Sequence, residues 1–427
     1  MLDIRFIKDN LDAVRQNIRD RYMNADADLV VSLYDKRNGT LRELEDARRL
    51  RNENAQAMKS PLSAEDRARR IEEGKRLKET IARLESELQE VETSFAAEMA
   101  KIPNMAHPMA PRGKEDKDNL EVKRVGVPTS FDFPPKDHVE LGQSLDIIDF
   151  DTATKVSGTK FYYLKNEGVI LELALVRYAL DILSKHGFTL MTTPDVAKTE
   201  ILEGIGFNPR GAESNVYTLE GEGTCLIGTA EITLGGYHSG AVLENEQLPI
   251  RFAGVSHCFR REAGAAGQFS KGLYRVHQFT KVEMFVYCLP EDSGQIHEEL
   301  RAIEEEIFSS LDIPFRVVDT CTGDLGAPAY RKWDLEAWMP GRNSGEWGEI
   351  TSTSNCTDYQ ARRLNVRYRD EEGKNRFVHM LNGTAIACSR AIIAILENFQ
   401  QEDGSVRIPK ALIPYCGFDV IQPRRGI

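Results

Sequence analysis

Between residues 77 and 95, apolar side chains fall at Leu77, Ile81, Leu84, Leu88, Val91 and Phe95, alternately four and three residues apart. That spacing leaves a chain few options. It places all six residues on one narrow stripe of an α-helix, and the stripe needs a second helix to cover it. The partner comes before it: Leu33, Leu41, Leu44, Ala47 and Met58 form a less regular apolar side. Between the two lies SPLSAED (60–66), where Pro61 breaks the first helix and Ser63 with Asp66 resembles a capping box that starts the second. So short a connection forces the helices to run antiparallel, and at 1.5 Å per residue each is roughly 45–55 Å long. The expectation for residues 29 to about 100 is a projecting coiled-coil arm.

Charge on this arm is uneven. From Arg48 to Lys78 there are ten Lys/Arg and five Asp/Glu, a local excess of +5 in a chain whose formal net charge is −12. Phosphate binding needs clustered cations, so the net charge by itself argues against nucleic acid. The arm supplies such a cluster, with Arg48, Arg49, Arg51, Arg67, Arg70 and Lys75 as candidate RNA contacts. A solvated coiled-coil face accounts for the same charges.

The rest of the 427 residues bounds the class. Hydrophobic residues make up 41% and charged ones 29%, an ordinary globular balance. No apolar run reaches the roughly 18 residues that cross a bilayer. The opening MLDIRFIKDN lacks the pattern of a signal or transit peptide. Seven scattered cysteines, with no CxxC pair, point to reduced thiols. A cytoplasmic location is expected, or an organelle matrix if a presequence has been removed. Pro103, Pro108, Pro111 and GKEDKDN suit a linker at about 106–120, between a helical domain (1–105) and a second domain (121–427). That second domain mixes helix-like ELALVRYALDILSKHG (172–187) and EELRAIEEEIFSSL (298–311) with strand-like KVEMFVYCL (281–289). With no strict βα alternation, α+β on a largely antiparallel sheet is expected.

No GxxxxGK[ST] loop and no GxGxxG after a strand is present, so any nucleotide site must be built from side chains. Four segments stand out: GTAEI (228–232), CFRREAG (258–264), RVHQFTKVEMF (275–285) and LNGTAIACSRAI (381–392). Together they resemble the catalytic core of class II aminoacyl-tRNA synthetases, specifically bacterial and organellar seryl-tRNA synthetases. The resemblance extends to GFTLMTTPDVAK (187–198), AYRKWDLEAWMPG (329–341), EITSTSNC (349–356), IPKALIPYCG (408–417) and the helical arm.

The residues themselves suit that chemistry. Arg260 and Glu262 sit two apart, a spacing that points both to one face of a strand. A guanidinium fork can clamp an α-phosphate, and a carboxylate can accept from an adenine amino group. The resemblance implies that Arg275 meets the outer phosphates, Phe279 stacks on adenine, Val276 lines the ATP site, and Arg390 covers the other adenine face. It assigns the serine pocket to Thr229, Glu231, Arg260, Glu283, Asn382 and Thr384, and magnesium and ATP contacts to Glu349 and Ser352. Serine is small and polar, so discrimination must rest on hydrogen bonds to its hydroxyl and on limited space.

Three positions depart from the common family pattern: Gly228 replaces a frequent Pro, GRNSGEWGEI (341–350) is slightly long, and Cys388–Ser389 precede Arg390. None removes an implied ligand. The implied cofactors are ATP and Mg²⁺. The implied partners are L-serine, tRNA(Ser) and, as in similar enzymes, tRNA(Sec), on a homodimer with its interface near Pro194 and no membrane. A catalytically silent paralogue predicts loss of the arginines of these motifs, yet Arg260 and Arg390 are present. A ligase that charges a carrier protein predicts no long arm and a cysteine-containing zinc pocket.

Overall fold

The structure is a computed structural model that describes residues 1–208, 214–263 and 269–424. Gly264, the last residue of CFRREAG, lies outside the described residues. The chain divides into two compact units, Met1–Met105 and Ala106–Ile427.

In the first unit, short helices α1 (Ile4–Asp9) and α2 (Leu11–Asp20) precede the long pair α3 (Ala27–Ala57) and α4 (Ala64–Lys101). The Ser63 hydroxyl accepts from the Asp66 N–H and starts α4, as the sequence suggests. The heptad stripe is buried where it meets α3: Ile81 and Leu84 close on Leu44 and Ala47. A second cluster at the base joins Ile7, Val14 and Ile18 to Val30, Met99 and Ile102. The seam does not continue to the tip, where Leu50 and Ile71 are 44% and 47% exposed. There the Asn54 side chain donates to the Arg70 carbonyl at 2.8 Å instead.

The second unit is built on an eight-stranded sheet. Its strands are β1 (Leu120–Val125), β2 (Thr189–Thr192), β3 (Ile250–Phe259), β4 (Gln278–Cys288), β5 (Phe315–Asp319), β6 (Arg331–Met339), β7 (Glu346–Asn355) and β8 (His379–Ala387). They lie in the order β1-β5-β6-β7-β8-β4-β3-β2. Every pair is antiparallel except the edge pair β2–β3. Alternation along β4 divides its residues between two faces. Val282, Met284 and Val286 face one core, together with α5 (Glu167–Lys185), α6 (Ser293–Ser310) and α7 (Cys388–Phe399). Phe285 and Tyr287 face the other way, under the short helices Thr199–Ile205, Glu231–Gly236 and Tyr359–Leu364. On that second face the cover stops at Phe285. Glu283, Lys281 and Phe279, further along the same row, line or approach an open cleft.

The stretch expected as a linker is folded against the turn after β5. Thr322 N–H donates to the Pro111 carbonyl at 2.8 Å, and Cys321 N–H to the Asn119 side chain at 2.9 Å. A Cβ on Gly323 would stand 2.5 Å from the Lys114 carbonyl oxygen, so glycine is what lets this strap lie so close.

The two ends of the arm should respond differently to truncation. Leu84→Ala opens a cavity in a closed cluster and should destabilise the arm by about 2–5 kcal/mol. Leu50→Ala, on the exposed tip, should change it by under about 0.5 kcal/mol. Urea titration of the isolated pair of helices or of the whole chain, followed by helical circular dichroism, measures both.

Candidate active site

Four central strands build the site. Glu283 on β4 is opposite Thr384 on β8 and Gly254 on β3, so the three share one face. The Glu283 side chain is 2% exposed and forms an ion pair with Lys281. It also accepts from the Thr384 hydroxyl at 3.2 Å. Glu231 opens its short helix beside this pair and accepts from Asn382 Nδ2 at 3.0 Å and Gln360 Nε2 at 2.8 Å. Its own N–H donates to the buried Thr229 hydroxyl at 3.2 Å. Part of Glu231 reaches solvent, but its carboxyl is enclosed by protein. That burial, and then the nearby charge of Glu283, pushes the carboxyl up to about 7.

The other end of the cleft holds cations and rings. The Arg260 guanidinium sits 5.3 Å from the Phe279 ring centroid, and its Nε donates to the Gly228 carbonyl at 3.2 Å. Arg260 and Glu262 do not share a strand face, contrary to the expectation from their spacing. β3 ends at Phe259, and Glu262 lies in the turn beyond it with φ +49°, so strand alternation does not aim the two side chains. The left-handed turn carries Glu262 to Arg275 Nη1 at 3.3 Å. Arg275 likewise precedes β4 rather than lying on it, while Phe279 is on the strand. Val276 is buried and lines the same cleft.

Arg390 is the third residue of α7 and turns towards β7. Its Nη1 donates to the Glu349 carbonyl at 2.9 Å and lies 3.1 Å from the Glu349 carboxylate. The Tyr274 ring lies 4.8 Å from Arg390 and 4.8 Å from Arg342, so the long 341–350 segment sends a second guanidinium to the cleft. Burial disfavours the charge on Glu349, but Arg390, Lys332 and Arg260 outweigh it and hold the carboxyl below its ordinary range.

Glu349 and Ser352 are three apart, a spacing that sends side chains to opposite faces of a regular strand. A bulge at Ile350 removes the conflict. Glu349 is opposite Glu336 and Ser352 opposite Asp334, and these two partners are two apart on β6. Both residues therefore stand on the cleft side. Beyond Tyr274, Arg275 and Glu349 the cleft widens into a space of about 580 Å³.

The structure thus gathers the pocket and cleft residues named from the sequence on one sheet face. The six arm cations belong to the other unit. Of these, Arg48 pairs with Glu85 at 2.6 Å, Arg49 with Asp46 and Glu53, and Lys75 with Glu72. Arg70 bonds the Asn54 side chain at 3.2 Å. Among the described residues Arg51 and Arg67 have no carboxylate partner within 4.0 Å. Sequence reasoning missed Lys281, Gln360 and Tyr274. Lys281 could have been found, since it lies two before Glu283 on one strand face. Nothing local marks Gln360, which arrives from a distant helix.

A largely antiparallel sheet with arginines, an aromatic ring and buried carboxylates on one face is the core of a class II aminoacyl-tRNA synthetase. Residues 217–399 match the tRNA synthetase class II core domain (G, H, P, S and T), and residues 1–106 the seryl-tRNA synthetase N-terminal domain. The serine–tRNA ligase of Treponema denticola is 69% identical over 421 residues, covering 99% of this chain and 100% of that one. That of Rubrobacter xylanophilus is 57% identical over 100% of both chains. Among solved structures, the seryl-tRNA synthetase of Pyrococcus horikoshii complexed with ATP superposes with a TM-score of 0.89, at 41% identity and 100% coverage of each chain. The chain belongs to the seryl-tRNA synthetase family.

A carboxyl with a pKa of about 7 beside an amino-acid pocket predicts pH-dependent binding. Glu231 is neutral below that value and anionic above it, and the substrate ammonium favours the anion. The KM for the amino acid should therefore fall as pH rises from about 6 to about 8, and Glu231→Gln should flatten this part of the profile. Amino-acid-dependent ATP–pyrophosphate exchange across that range measures it.

Proposed function

We propose that the chain activates L-serine with ATP to seryl-adenylate and transfers the seryl group to the 3′ end of tRNA(Ser). The observation that carries this reading is the buried Glu283–Thr384 pair, 3.2 Å apart, on the same sheet face as Arg260 and Phe279. Glu283 is placed to accept from the serine ammonium and hydroxyl, and Thr384 to complete the hydroxyl's partners. Thr229, Glu231 and Asn382 wall the pocket. Arg260 holds the serine carboxylate against the α-phosphate. Glu262 accepts from the adenine amino group, Phe279 and Arg390 cover the two adenine faces, and Arg275 and Arg390 neutralise the outer phosphates. The serine carboxylate attacks the α-phosphorus in line and pyrophosphate leaves. A ribose hydroxyl of the tRNA terminus then takes the seryl group and releases AMP. No side chain acts as a nucleophile, so positioning and charge stabilisation carry the rate.

Glu349 and Ser352 fit magnesium. They offer hard oxygen donors on one face, and neighbouring cations keep the carboxylate ionised. Among the described residues no group of three or more His, Cys, Asp or Glu could hold a metal on its own. Bound there, magnesium supplies charge neutralisation.

The arm, through Arg48, Arg49, Arg51, Arg67, Arg70 and Lys75, grips the body of the tRNA, with tRNA(Sec) as a further substrate. A homodimer is supported by exposed apolar residues on α5 and its neighbours: Val169, Ile170, Leu173, Leu190 and Val196. No helix among the described residues is long and apolar enough to cross a membrane, and we place the enzyme in the cytoplasm.

ATP–pyrophosphate exchange across the twenty amino acids tests the activity. Serine should drive it, with threonine and alanine far behind; equal rates with threonine would overturn the assignment. Arg390→Ala should abolish exchange while leaving tRNA binding nearly intact. The converse should hold for an enzyme lacking residues 40–90, bridged by a short turn. Its exchange should stay near wild type while transfer to tRNA falls by orders of magnitude. Equal charging by the armless enzyme would make the arm a solvated hairpin and nothing more.

A further inference from the structure

The underside of β7 is polar, although it lies against an otherwise apolar core. Thr351, Thr353 and Asn355 are at most 4% exposed, and each is tied to α6. The Asn355 side chain donates to the Ser293 carbonyl at 3.2 Å. His297 Nε2 donates to the Thr353 carbonyl at 3.1 Å; burial lowers this imidazole to about 4, so it is neutral. The Thr351 hydroxyl lies 3.1 Å from the Glu304 carboxyl, which is 0% exposed. Burial pushes that carboxyl well above its ordinary range. Its second oxygen, Oε1, is buried with no hydrogen-bond partner among the described residues.

Such a group is expensive. An unpartnered polar atom in a core costs about 1–3 kcal/mol, and an apolar side chain of similar volume would pack there without that cost. Its position suggests what it does. Thr351 adjoins the bulged Ile350, between Glu349 and Ser352. A bulge weakens the definition of register, and a slip of one residue would send Ser352 to the underside and carry the Thr351 hydroxyl away from Glu304. Apolar contacts with α6 resist such a slip poorly, because they are not directional. A hydrogen bond to one threonine resists it well.

We propose that Glu304 is a positioning residue that pins the β7 bulge through Thr351, and so holds Glu349 and Ser352 together on the cleft face. The role rests on the reading of Glu349 and Ser352 as the magnesium contacts. Glu304 touches neither substrate nor metal.

Three variants test it by thermal melting and by serine-dependent pyrophosphate exchange titrated with Mg²⁺. Glu304→Leu should melt at or above the wild-type temperature. Its exchange rate should fall and its half-saturating Mg²⁺ should rise, together by about 10–100-fold, the usual range for a residue that orients a metal ligand. Glu304→Gln, a neutral group of the same shape, should restore both to within about threefold of wild type. Thr351→Val removes the same bond from the strand side and should reproduce the Leu phenotype, which keeps the test open if Glu304→Leu does not fold. Wild-type rate and Mg²⁺ dependence in a folded Glu304→Leu or Thr351→Val enzyme overturns the proposal. Glu349→Gln is assayed in parallel. If it loses exchange while Glu304→Leu does not, the positioning role alone fails. If Glu349→Gln itself behaves as wild type, the metal reading fails and takes the proposal with it.

Discussion

A carboxylate cannot be taken out of water without a cation or hydrogen-bond donors against it, and much of this site follows from that constraint. Glu231 and Glu283 lie close enough to raise one another's cost. Lys281 pairs with Glu283, and amide donors from Gln360 and Asn382 serve Glu231. With Lys281 paired to Glu283, Glu231 relies on those amide donors and on the weaker charges of Lys281 and Arg260. On the proposed function, the ammonium of an α-amino acid supplies a further cation for this pair of carboxylates. In the narrow part of the cleft Arg260, Arg275 and Arg390 outnumber Glu262 and Glu349, which suits a polyanion.

Only one kind of scaffold presents both ends side by side. Neighbouring antiparallel strands place residues from β3, β4, β7 and β8 about 5 Å apart across the ladder, although the β3–β4 and β7–β8 pairs come from two separate parts of the chain. Two irregularities adapt this scaffold. The bulge in β7 brings Glu349 and Ser352 to one side, and the bulge in β8 sets Thr384 opposite Glu283. The cover of short helices ends at Phe285, so the row of β4 side chains passes from core to cleft without a change of direction.

Much of this was legible in the sequence because it is periodic. The heptad stripe identified the arm, and Ser63 its second helix. The class and the ligand residues came from motif resemblance, and the sheet face brings them together. What escaped was aperiodic or distant. The Glu262 turn has a left-handed residue where RxE suggested a strand, because a carboxylate side chain gives no local sign of positive φ. The bulges are invisible, since EITS reads as plain alternation. The strap at 106–119 looked like a linker because proline and charge suit both a free segment and one fastened by backbone hydrogen bonds. Gln360 had no signal, since a buried amide on a short helix resembles any surface glutamine.

On the proposed function, the open tip of the arm has a consequence for how RNA is met. Closed clusters hold the base and middle, but beyond Leu77 the side-chain bonds between the two helices among the described residues are those of Asn54 with Arg70. Segments so sparsely packed open at low free energy, so the tip samples a range of positions around a fixed stem. A tethered, wandering group of arginines sweeps a larger volume than a rigid one and finds a long polyanion sooner. The cost comes at closure, when the tip must surrender that freedom, and it lowers affinity per contact. Fast capture with modest grip suits a protein that must release each RNA after a single use.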